Sequence, residues 1–233
     1  MREQKRLRGD FAKFSEMSKR VTERFPLQWG NRRLIYENTK ETSFDAHYIY
    51  HPAWAARVLA QIKPPHHVDI SSKLDFSTIV SAFIPVKFYD YRPAHISLSN
   101  LTSEHADLLN LPFKDSSIPS LSCMHVVEHV GLGRYGDEID PDGDLKAIRE
   151  LKRVLARKGT LLFVVPIGKP KIQFNAHRIY SYEQILGHFK DLKLEEFALI
   201  PDDAQKTGII HNATKEAADG QAYGCGCFWF TKP

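Results

Sequence analysis

Short apolar runs alternate with helix-forming segments between residues 64 and 233, and this alternation limits the fold more than any other feature. Residues 160–166 (TLLFVVP) are apolar at almost every position, which is typical of a strand buried on both faces of a parallel sheet. Residues 144–156 carry Leu and Ile at helical spacing. Further strands are predicted at 67–70, 86–90, just before Asp107, 120–127, 192–200 and 225–231, with another helix at 78–83. The pattern predicts an α/β fold, a Rossmann-like doubly wound and mostly parallel seven-stranded sheet.

The N-terminal part of the chain has a different composition. Residues 1–40 contain eleven Lys or Arg against five Asp or Glu, so the positive excess of the chain lies there. Apolar residues recur among these charges at the spacing of an amphipathic helix: Leu7, Phe11, Phe14, Val21 and Phe25. We predict a helical N-terminal extension over 1–63 and an α/β domain over 64–233.

The apolar stripe of this basic helix needs a covering surface. One interpretation is packing on the core or dimerisation, and the other is peripheral contact with an anionic membrane or acidic polymer. Nucleic acid is not an expected partner, because no recognisable binding motif accompanies the charge.

Cysteine content and hydropathy indicate the compartment. The three cysteines, Cys123, Cys225 and Cys227, are an odd number without a paired spacing, which argues against a secreted disulfide framework. No apolar run approaches the roughly 20 residues of a membrane span, and the first residues lack the apolar core of a secretory signal. We expect a cytoplasmic protein, with a membrane-peripheral position as the alternative.

The stretch 120–136 (SLSCMHVVEHVGLGRYG) has the strongest chemical signal, because two imidazoles and a carboxylate follow a predicted strand. Parallel α/β sheets bind ligands at the carboxyl ends of their strands. An imidazole titrates near neutral pH and can accept a proton from a substrate. We predict that His129 is a catalytic base and that Glu128 orients it or binds a substrate hydroxyl. In the structural alternative, Glu128 caps a helix and His129 is a hydrogen-bonded strand end.

Two metal patterns occur in the same region. Residues 125–129 spell H-x-x-E-H, the pattern of an inverted zinc protease helix, which would make the chain a metal-dependent hydrolase. Gly131 and Gly133 would break such a helix at once. Residues 138–149 imitate the start of a calcium loop, but Arg149 occupies the position that needs a bidentate Glu. We therefore predict no metal ligands, and a solvated loop in which Asp144 caps the next helix.

Four motifs in the order of the predicted strands resemble the class I S-adenosylmethionine-dependent methyltransferases. They are DISSK at 69–73, Asp90 after the second strand, Asp107 and Leu108 followed by LPF, and VVEHV at 126–130. The resemblance covers about residues 66–232 and implies the class I methyltransferase fold with S-adenosylmethionine as cofactor. The residues that the resemblance assigns to the cofactor are Asp69, Ser71, Asp90, Asp107, Leu108 and His125. Ser71 and Lys73 stand where the family has glycine.

Three segments together are similar to a narrower group of methyltransferase-like domains. HVDISS, HVVEHVGLGRYGD and FNAHRIY (174–180) resemble domains first catalogued from Caenorhabditis and common in bacterial polysaccharide gene clusters. This resemblance implies methyl transfer to a sugar or glycan precursor in surface polysaccharide synthesis. The alternative function is a non-methylating Rossmann-like domain that binds a nucleotide sugar or a partner protein.

Polar residues after the fifth strand are the candidates for substrate binding: Asn175, His177, Arg178 and Tyr180. Arg forms bidentate pairs with anions, and the set suits a substrate rich in hydroxyls or phosphate. The same segment also fits a helix-start turn with Ser181 as N-cap. Residues 45–48, with Trp54 and Arg57 beyond them, are interpreted either as a cover over the ligand or as packing.

Overall fold

A computed structural model describes residues 2–19, 25–35 and 37–233 of the protein. The described chain divides into two compact units, Met1–Ser43 and Phe44–Pro233. Val21, which belongs to the predicted amphipathic stripe, lies outside the described residues.

The first unit contains helix α1 (Arg2–Ser18) and a short 3-10 helix, Trp29–Asn31. Phe11 packs edge-on against Trp29 at 5.0 Å between ring centroids, and the Arg32 guanidinium lies 4.6 Å from the same ring. Phe14 remains 63% exposed. The helix is confirmed over Arg2–Ser18, and Phe25, the last residue of the predicted stripe, is not helical. Contact of the helix with a membrane or a second copy stays a prediction. No helix among the described residues has both the length and the apolar content of a bilayer span.

The second unit is built on one seven-stranded sheet with the order β3-β2-β1-β4-β5-β9-β8. Its strands are β1 (His67–Ile70), β2 (Val86–Asp90), β3 (Leu101–His105), β4 (Ile118–Met124), β5 (Leu155–Ile167), β8 (Lys193–Ile200) and β9 (Gly224–Thr231). β9 is antiparallel to both β5 and β8, and the other neighbouring strands are parallel. A separate hairpin is formed by β6 (Lys171–Gln173) and β7 (His177–Ile179). The predicted mostly parallel seven-stranded sheet is confirmed.

Helices cover both faces of this sheet, as a doubly wound fold requires. They are α2 (Ala46–Ile62), α3 (Leu74–Val80), α4 (Gly143–Val154), α5 (Tyr182–His188), α6 (Ala204–Thr207) and α7 (Lys215–Asp219). One core contains buried residues of α4 and α5, including Leu151 and Ile185. The other contains buried residues of α2 and α3, including Trp54 and Val80. The fully buried β5 residues 161–165 alternate between these two cores, which explains their continuous apolar sequence.

Helix α2 belongs to the same compact unit as the sheet. This unit begins at Phe44 and not at residue 64. The Asp45 side chain caps the helix by accepting a hydrogen bond from Tyr48 N at 3.3 Å. Trp54 is 2% exposed, and its indole donates to Glu196 on β8 at 3.2 Å. Packing of α2 on the sheet therefore places residues 44–62 with the predicted 64–233 domain.

Several element boundaries differ from prediction, among them the start of β5 at Leu155 and not at residue 160, and two of the differences have a local reason. Helix α3 starts at Leu74 and not at residue 78, because the chain turns directly after β1 and places Asp75 in the first helical turn. β4 ends at Met124 and not at 127, because His125 takes a left-handed backbone with φ of 57°. Residues 127–129 then form one 3-10 turn.

Candidate functional site

A cavity of about 350 Å³ opens at the carboxyl ends of β1, β2 and β4. Its wall contains six of the residues that the sequence assigns to a cofactor or to catalysis: Ser71, Asp90, Asp107, Leu108, His125 and His129. The structure therefore brings the tips of β1 and β4 to one cavity, as the topology predicts.

The turn after β1 forms without the expected glycine. Ser71 has φ of 54°, in the left-handed region that glycine tolerates best. Its main-chain N–H and its hydroxyl both donate to the Tyr89 carbonyl, at 2.7 and 3.2 Å. The Lys73 amine pairs with Asp75 at 3.2 Å and lies 5.5 Å from the Tyr48 ring. Lys73 does not line the cavity, so its side chain leaves the ligand space clear.

The acids after β2 and β3 are fixed by their own turns. One oxygen of Asp90 accepts from Arg92 N at 2.7 Å, and one oxygen of Asp107 accepts from Leu109 N at 2.8 Å. Both residues also line the cavity. Both side chains are therefore held at the wall, where hydroxyl or amine donors of a ligand could reach them.

Asp69 lies behind the cavity wall, which corrects the expectation of direct cofactor contact. It is fully buried, and its carboxylate accepts from Ser77 and Ser122 hydroxyls, both at 2.5 Å. The His67 ring nitrogens contact the hydroxyls of Ser120 and Ser122, both at 2.8 Å. The carboxylate therefore ties β1 to β4 and α3 and supports the turn that carries Ser71.

Burial raises the pKa of Asp69 to about 6, against hydrogen bonds from Ser122, Ser72 and Ser77 that act in the opposite direction. The folded state therefore favours the protonated carboxyl relative to an unfolded pKa of about 3.9. The stabilising contribution of Asp69 is fully present below about pH 4 and is lost as pH rises through about 6. The free energy of unfolding falls by roughly 2–3 kcal/mol over this range.

We expect Asp69→Asn to remove this pH-dependent loss from the free energy of unfolding. Urea denaturation at pH 4.5 and pH 7.5 measures the difference in the free energy of unfolding between the two conditions. Asp75→Asn, at an exposed acid of α3, is the matched control and should keep the wild-type difference between the two pH values. An Asp69→Asn protein with the wild-type pH dependence would contradict the assignment.

Glu128 is the buried acid at the centre of the site. Its Oε1 lies 2.7 Å from His125 Nδ1 and 3.7 Å from His129 Nε2. Burial, the largest single cause, raises the pKa of Glu128, but the charges of His125 and His129 and the hydrogen bonds of the carboxylate together outweigh burial, so the net pKa is lowered. The fully buried side chain is therefore a carboxylate that can stabilise positive charge on either imidazole.

His129 is held in the form of a proton acceptor. Its Nδ1 lies 2.6 Å from the Ala176 carbonyl, which can only accept, so Nδ1 carries the proton and donates it there. The Arg134 guanidinium, 3.2 Å from the same nitrogen, donates to that carbonyl at 3.1 Å, and Nε2 keeps its lone pair in the neutral ring. Burial lowers the pKa of His129, although Glu128 acts to raise it. The ring is therefore neutral at pH 7, and once protonated its Nε2–H would face the Glu128 carboxylate.

The loop after His129 forms one side of the cavity. The Asp137 carboxylate accepts from the main-chain N–H groups of Gly131, Gly133 and Tyr135 at 2.8, 3.4 and 3.1 Å. The Arg92 guanidinium lies 4.7 Å from the Tyr135 ring. The Asp137 carboxylate thus organises the glycine-containing turn. The available signal in the sequence was an acid shortly after the pair Gly131 and Gly133.

The predicted substrate residues divide into two pairs. Asn175 and His177 lie on the β6–β7 hairpin, and the His177 ring is 6.4 Å from His129. Arg178 is buried and donates to the Val130 and Pro141 carbonyls at 2.7 and 3.1 Å. Tyr180 is buried and donates to Asp144 at 2.9 Å. None of the four residues lines the cavity beside His129, which corrects their expected role, and Arg178 and Tyr180 instead hold loops inside the fold.

Other interpretations of these segments are also resolved by local structure. Ser181 is confirmed as the N-cap of α5, in a capping box with Gln184. Asp144 is buried against Tyr180, and Asp142 occupies the N-cap position of α4, so the predicted cap at Asp144 is wrong. The zinc protease interpretation is also wrong, because Val127–His129 is a 3-10 turn and not a continuing α-helix.

Sequence comparisons match the central part of the chain. Residues 94–189 match the family described as Caenorhabditis protein of unknown function, DUF268. An uncharacterized protein of Methanocaldococcus jannaschii, MJ0638, is 31% identical over 98 residues. This shared stretch is 41% of this chain and 37% of that protein, so the chain spans well under half of its relative.

Solved structures match most of the chain at low sequence identity. YcgJ from Bacillus subtilis superposes with a TM-score of 0.51 and 15% identity, over 78% of this chain and 99% of YcgJ. The N-methyltransferase NodS from Bradyrhizobium japonicum WM9, in complex with S-adenosyl-L-homocysteine, gives 0.54 and 13%, over 78% and 85%. The chain has the class I methyltransferase fold. At these identities the likeness establishes the architecture of the methyltransferase-like domain and not its reaction.

Several site residues of the methyltransferase-like domain were missed from the sequence. His47 and His51 on α2 pack around His125, with ring centroids 5.3 and 5.1 Å away. Tyr223, which precedes β9, stacks on His47 at 4.9 Å. The i, i+4 spacing of His47 and His51 on one helical face was the available signal. Sequence reasoning had assigned this segment only to a cover or to packing.

Proposed function

We propose that the domain transfers a methyl group from S-adenosylmethionine to an oxygen or nitrogen of a sugar or glycan precursor. The observation that carries the proposal is the shared cavity, in which Ser71, Asp90 and Asp107 lie with His129. These are the positions that the family resemblance assigns to the cofactor, beside a neutral imidazole.

The cavity fits the cofactor in size and in chemistry. Its volume of about 350 Å³ falls in the range of about 300–1,000 Å³ typical of small-molecule sites. Asp90 and Asp107 are suited to hydroxyl and amine donors, and Leu108, Ala106 and Val126 supply apolar wall for a base ring. When bound, S-adenosylmethionine supplies an electrophilic methyl group on a sulfonium.

The residues of the chain would then perform two tasks. His129 Nε2 would accept the proton of the attacking hydroxyl or amine, and Glu128 at 3.7 Å would stabilise the imidazolium that forms. The Ala176 carbonyl fixes the orientation of the ring through Nδ1. General base catalysis of this kind contributes typically about 10²–10⁴ in rate.

The mouth of the cavity supports a hydroxyl-rich acceptor. Tyr91 and Tyr135 offer aromatic faces, and Arg92, Asp137 and Glu138 offer charged hydrogen-bonding groups. Apolar faces and polar edges alternate on a sugar ring, and Arg92 could pair with a phosphate of an activated sugar. A screen of sugars and nucleotide sugars as methyl acceptors tests this assignment.

We expect S-adenosylmethionine and S-adenosyl-L-homocysteine to bind with micromolar affinity in calorimetry. Asp90→Ala should weaken both by roughly 10–100-fold, because a hydrogen bond to a charged group contributes about 1.5–3 kcal/mol. Asp75→Ala removes an equal charge from an exposed position of α3 and should leave both affinities unchanged. Absence of binding to either ligand would favour the non-methylating binding domain.

A further inference from the structure

We propose that His47, His125 and Cys225 form a zinc site beside the cavity. One ligand atom from each of the three side chains lies within 4.8 Å of the other two. Helix α2, the end of β4 and the start of β9 each contribute one residue. The site is independent of the proposed methyl transfer, because it depends only on these donors.

The distances among the three ligand atoms are compatible with a tetrahedral site. Zinc bonds of about 2.0–2.3 Å to nitrogen and sulfur place ligand atoms roughly 3.5 Å apart. Closing separations of up to 4.8 Å to that spacing requires side-chain shifts of only about 1 Å. All three side chains are buried, with Cys225 at 0% and the histidines below one tenth exposed.

His125 has the arrangement of a metal-ligating histidine. Its Nδ1 contacts the buried Glu128 carboxylate at 2.7 Å, and its buried Nε2 has no hydrogen-bond partner among the described residues. Histidine ligands usually donate their second ring nitrogen to a carboxylate or carbonyl, which orients the ring toward the metal. The carboxylate is in place here, and the nitrogen that would bind the metal is unpaired.

His51 is a second, independent observation that points to a ligand in this cluster. It is fully buried, and neither of its ring nitrogens has a hydrogen-bond partner among the described residues. Its ring lies 5.1 Å from that of His125. Leaving a buried polar group unpaired costs about 1–3 kcal/mol, so a cluster with several such nitrogens is expected to bind something. A metal-bound water would give His51 a partner.

The charges and donor types favour zinc. Thiolate and imidazole are ligands that zinc accepts together, whereas calcium and magnesium prefer oxygen. On binding, the Cys225 S–H bond is broken, its proton goes to solvent and the thiolate binds the metal. One thiolate and the Glu128 carboxylate then balance the two positive charges of the ion, which suits a buried site.

Three protein ligands leave a fourth coordination position, the usual arrangement of a catalytic zinc. His125 also lines the cavity, so the ion would lie at its edge. An oxygen of water or of a substrate could occupy the open position there.

Metal analysis of the purified protein tests the site without any activity assay. We expect about one zinc per chain by mass spectrometry after purification without chelators. After chelation, cobalt(II) should produce visible d–d absorption and a near-ultraviolet thiolate-to-metal charge-transfer band, neither of which the zinc form has. Cys225→Ala should lose that band and weaken zinc binding by at least about 100-fold. Cys123→Ala, at a buried cysteine of β4 outside the cluster, should keep the charge-transfer band and the wild-type zinc affinity.

Two results would overturn the site. One is a wild-type protein that contains no zinc and shows no cobalt spectrum. The other is a folded Cys225→Ala protein that binds zinc and cobalt(II) as the wild type does. Should Cys225→Ala not fold, His47→Gln in the first turn of α2 replaces it, with circular dichroism as the check of folding. Calorimetry with S-adenosylmethionine is a separate measurement, so failure of the metal site and failure of the proposed function remain distinguishable.

Discussion

We expect His129→Ala to lower methyl transfer by about 10²–10⁴-fold while S-adenosylmethionine affinity stays close to wild type. The physical reason is the neutral Nε2, which is unprotonated because Nδ1–H donates to Ala176. The measurement is formation of S-adenosyl-L-homocysteine in the presence of a panel of sugars and nucleotide sugars, with calorimetry for cofactor affinity.

The pH profile separates a base from a structural histidine. Burial lowers the pKa of His129, so wild-type turnover should increase as pH is raised through the acidic range and become level above about pH 7. His211→Ala, at an exposed histidine paired with Glu196, is the matched control and should leave rate and profile unchanged. Wild-type turnover in the His129→Ala protein would remove this residue from the chemistry.

The second large effect is on stability, at the loop that follows His129. Gly131 has φ of 78°, and a Cβ placed there would lie 2.1 Å from the Asp140 carbonyl oxygen. Because this oxygen belongs to the main chain, the whole loop must shift. We expect Gly131→Ala to lower the free energy of unfolding by about 3–5 kcal/mol, measured by urea denaturation.

Gly136 in the same loop is the control for this substitution. Its φ of 81° is nearly the same, but a Cβ there would meet no atom within 4 Å. Gly136→Ala should therefore show only the cost of a left-handed backbone, about 1–2 kcal/mol. Equal losses in the two variants would mean that close approach to Asp140 is not the cause. Cofactor affinity should fall in Gly131→Ala, because Gly131 lines the cavity.

Local patterns were sufficient for the sheet and for one wall of the cavity. β1 and β2 begin and end at their predicted residues, because strand periodicity and burial are properties of neighbouring positions. Asp90 and Asp107 follow strands, and parallel topology alone brings such strand ends to one edge. The family resemblance then supplied their expected roles.

Side-chain direction was not available from the same patterns. Asp69 was expected in the cavity but points at the serines of β4 and α3, because the position of one residue along a strand decides the face that it occupies. Arg178 and Tyr180 were expected to line the cavity beside His129, but they lie outside its wall, and their partners are loop carbonyls and Asp144.

The sequence by itself determined the α/β architecture, the strand segments along the chain and the presence of His125, Glu128 and His129 at a strand end. Only the tertiary structure decided that His47 and Cys225 meet His125, since these residues are separated by 78 and 100 positions along the chain. Hydrophobic periodicity encodes which face of an element is buried, but it does not encode which distant elements share that burial. The packing of α2 and β9 against the end of β4 supplies that information, because it closes the histidine cluster in space.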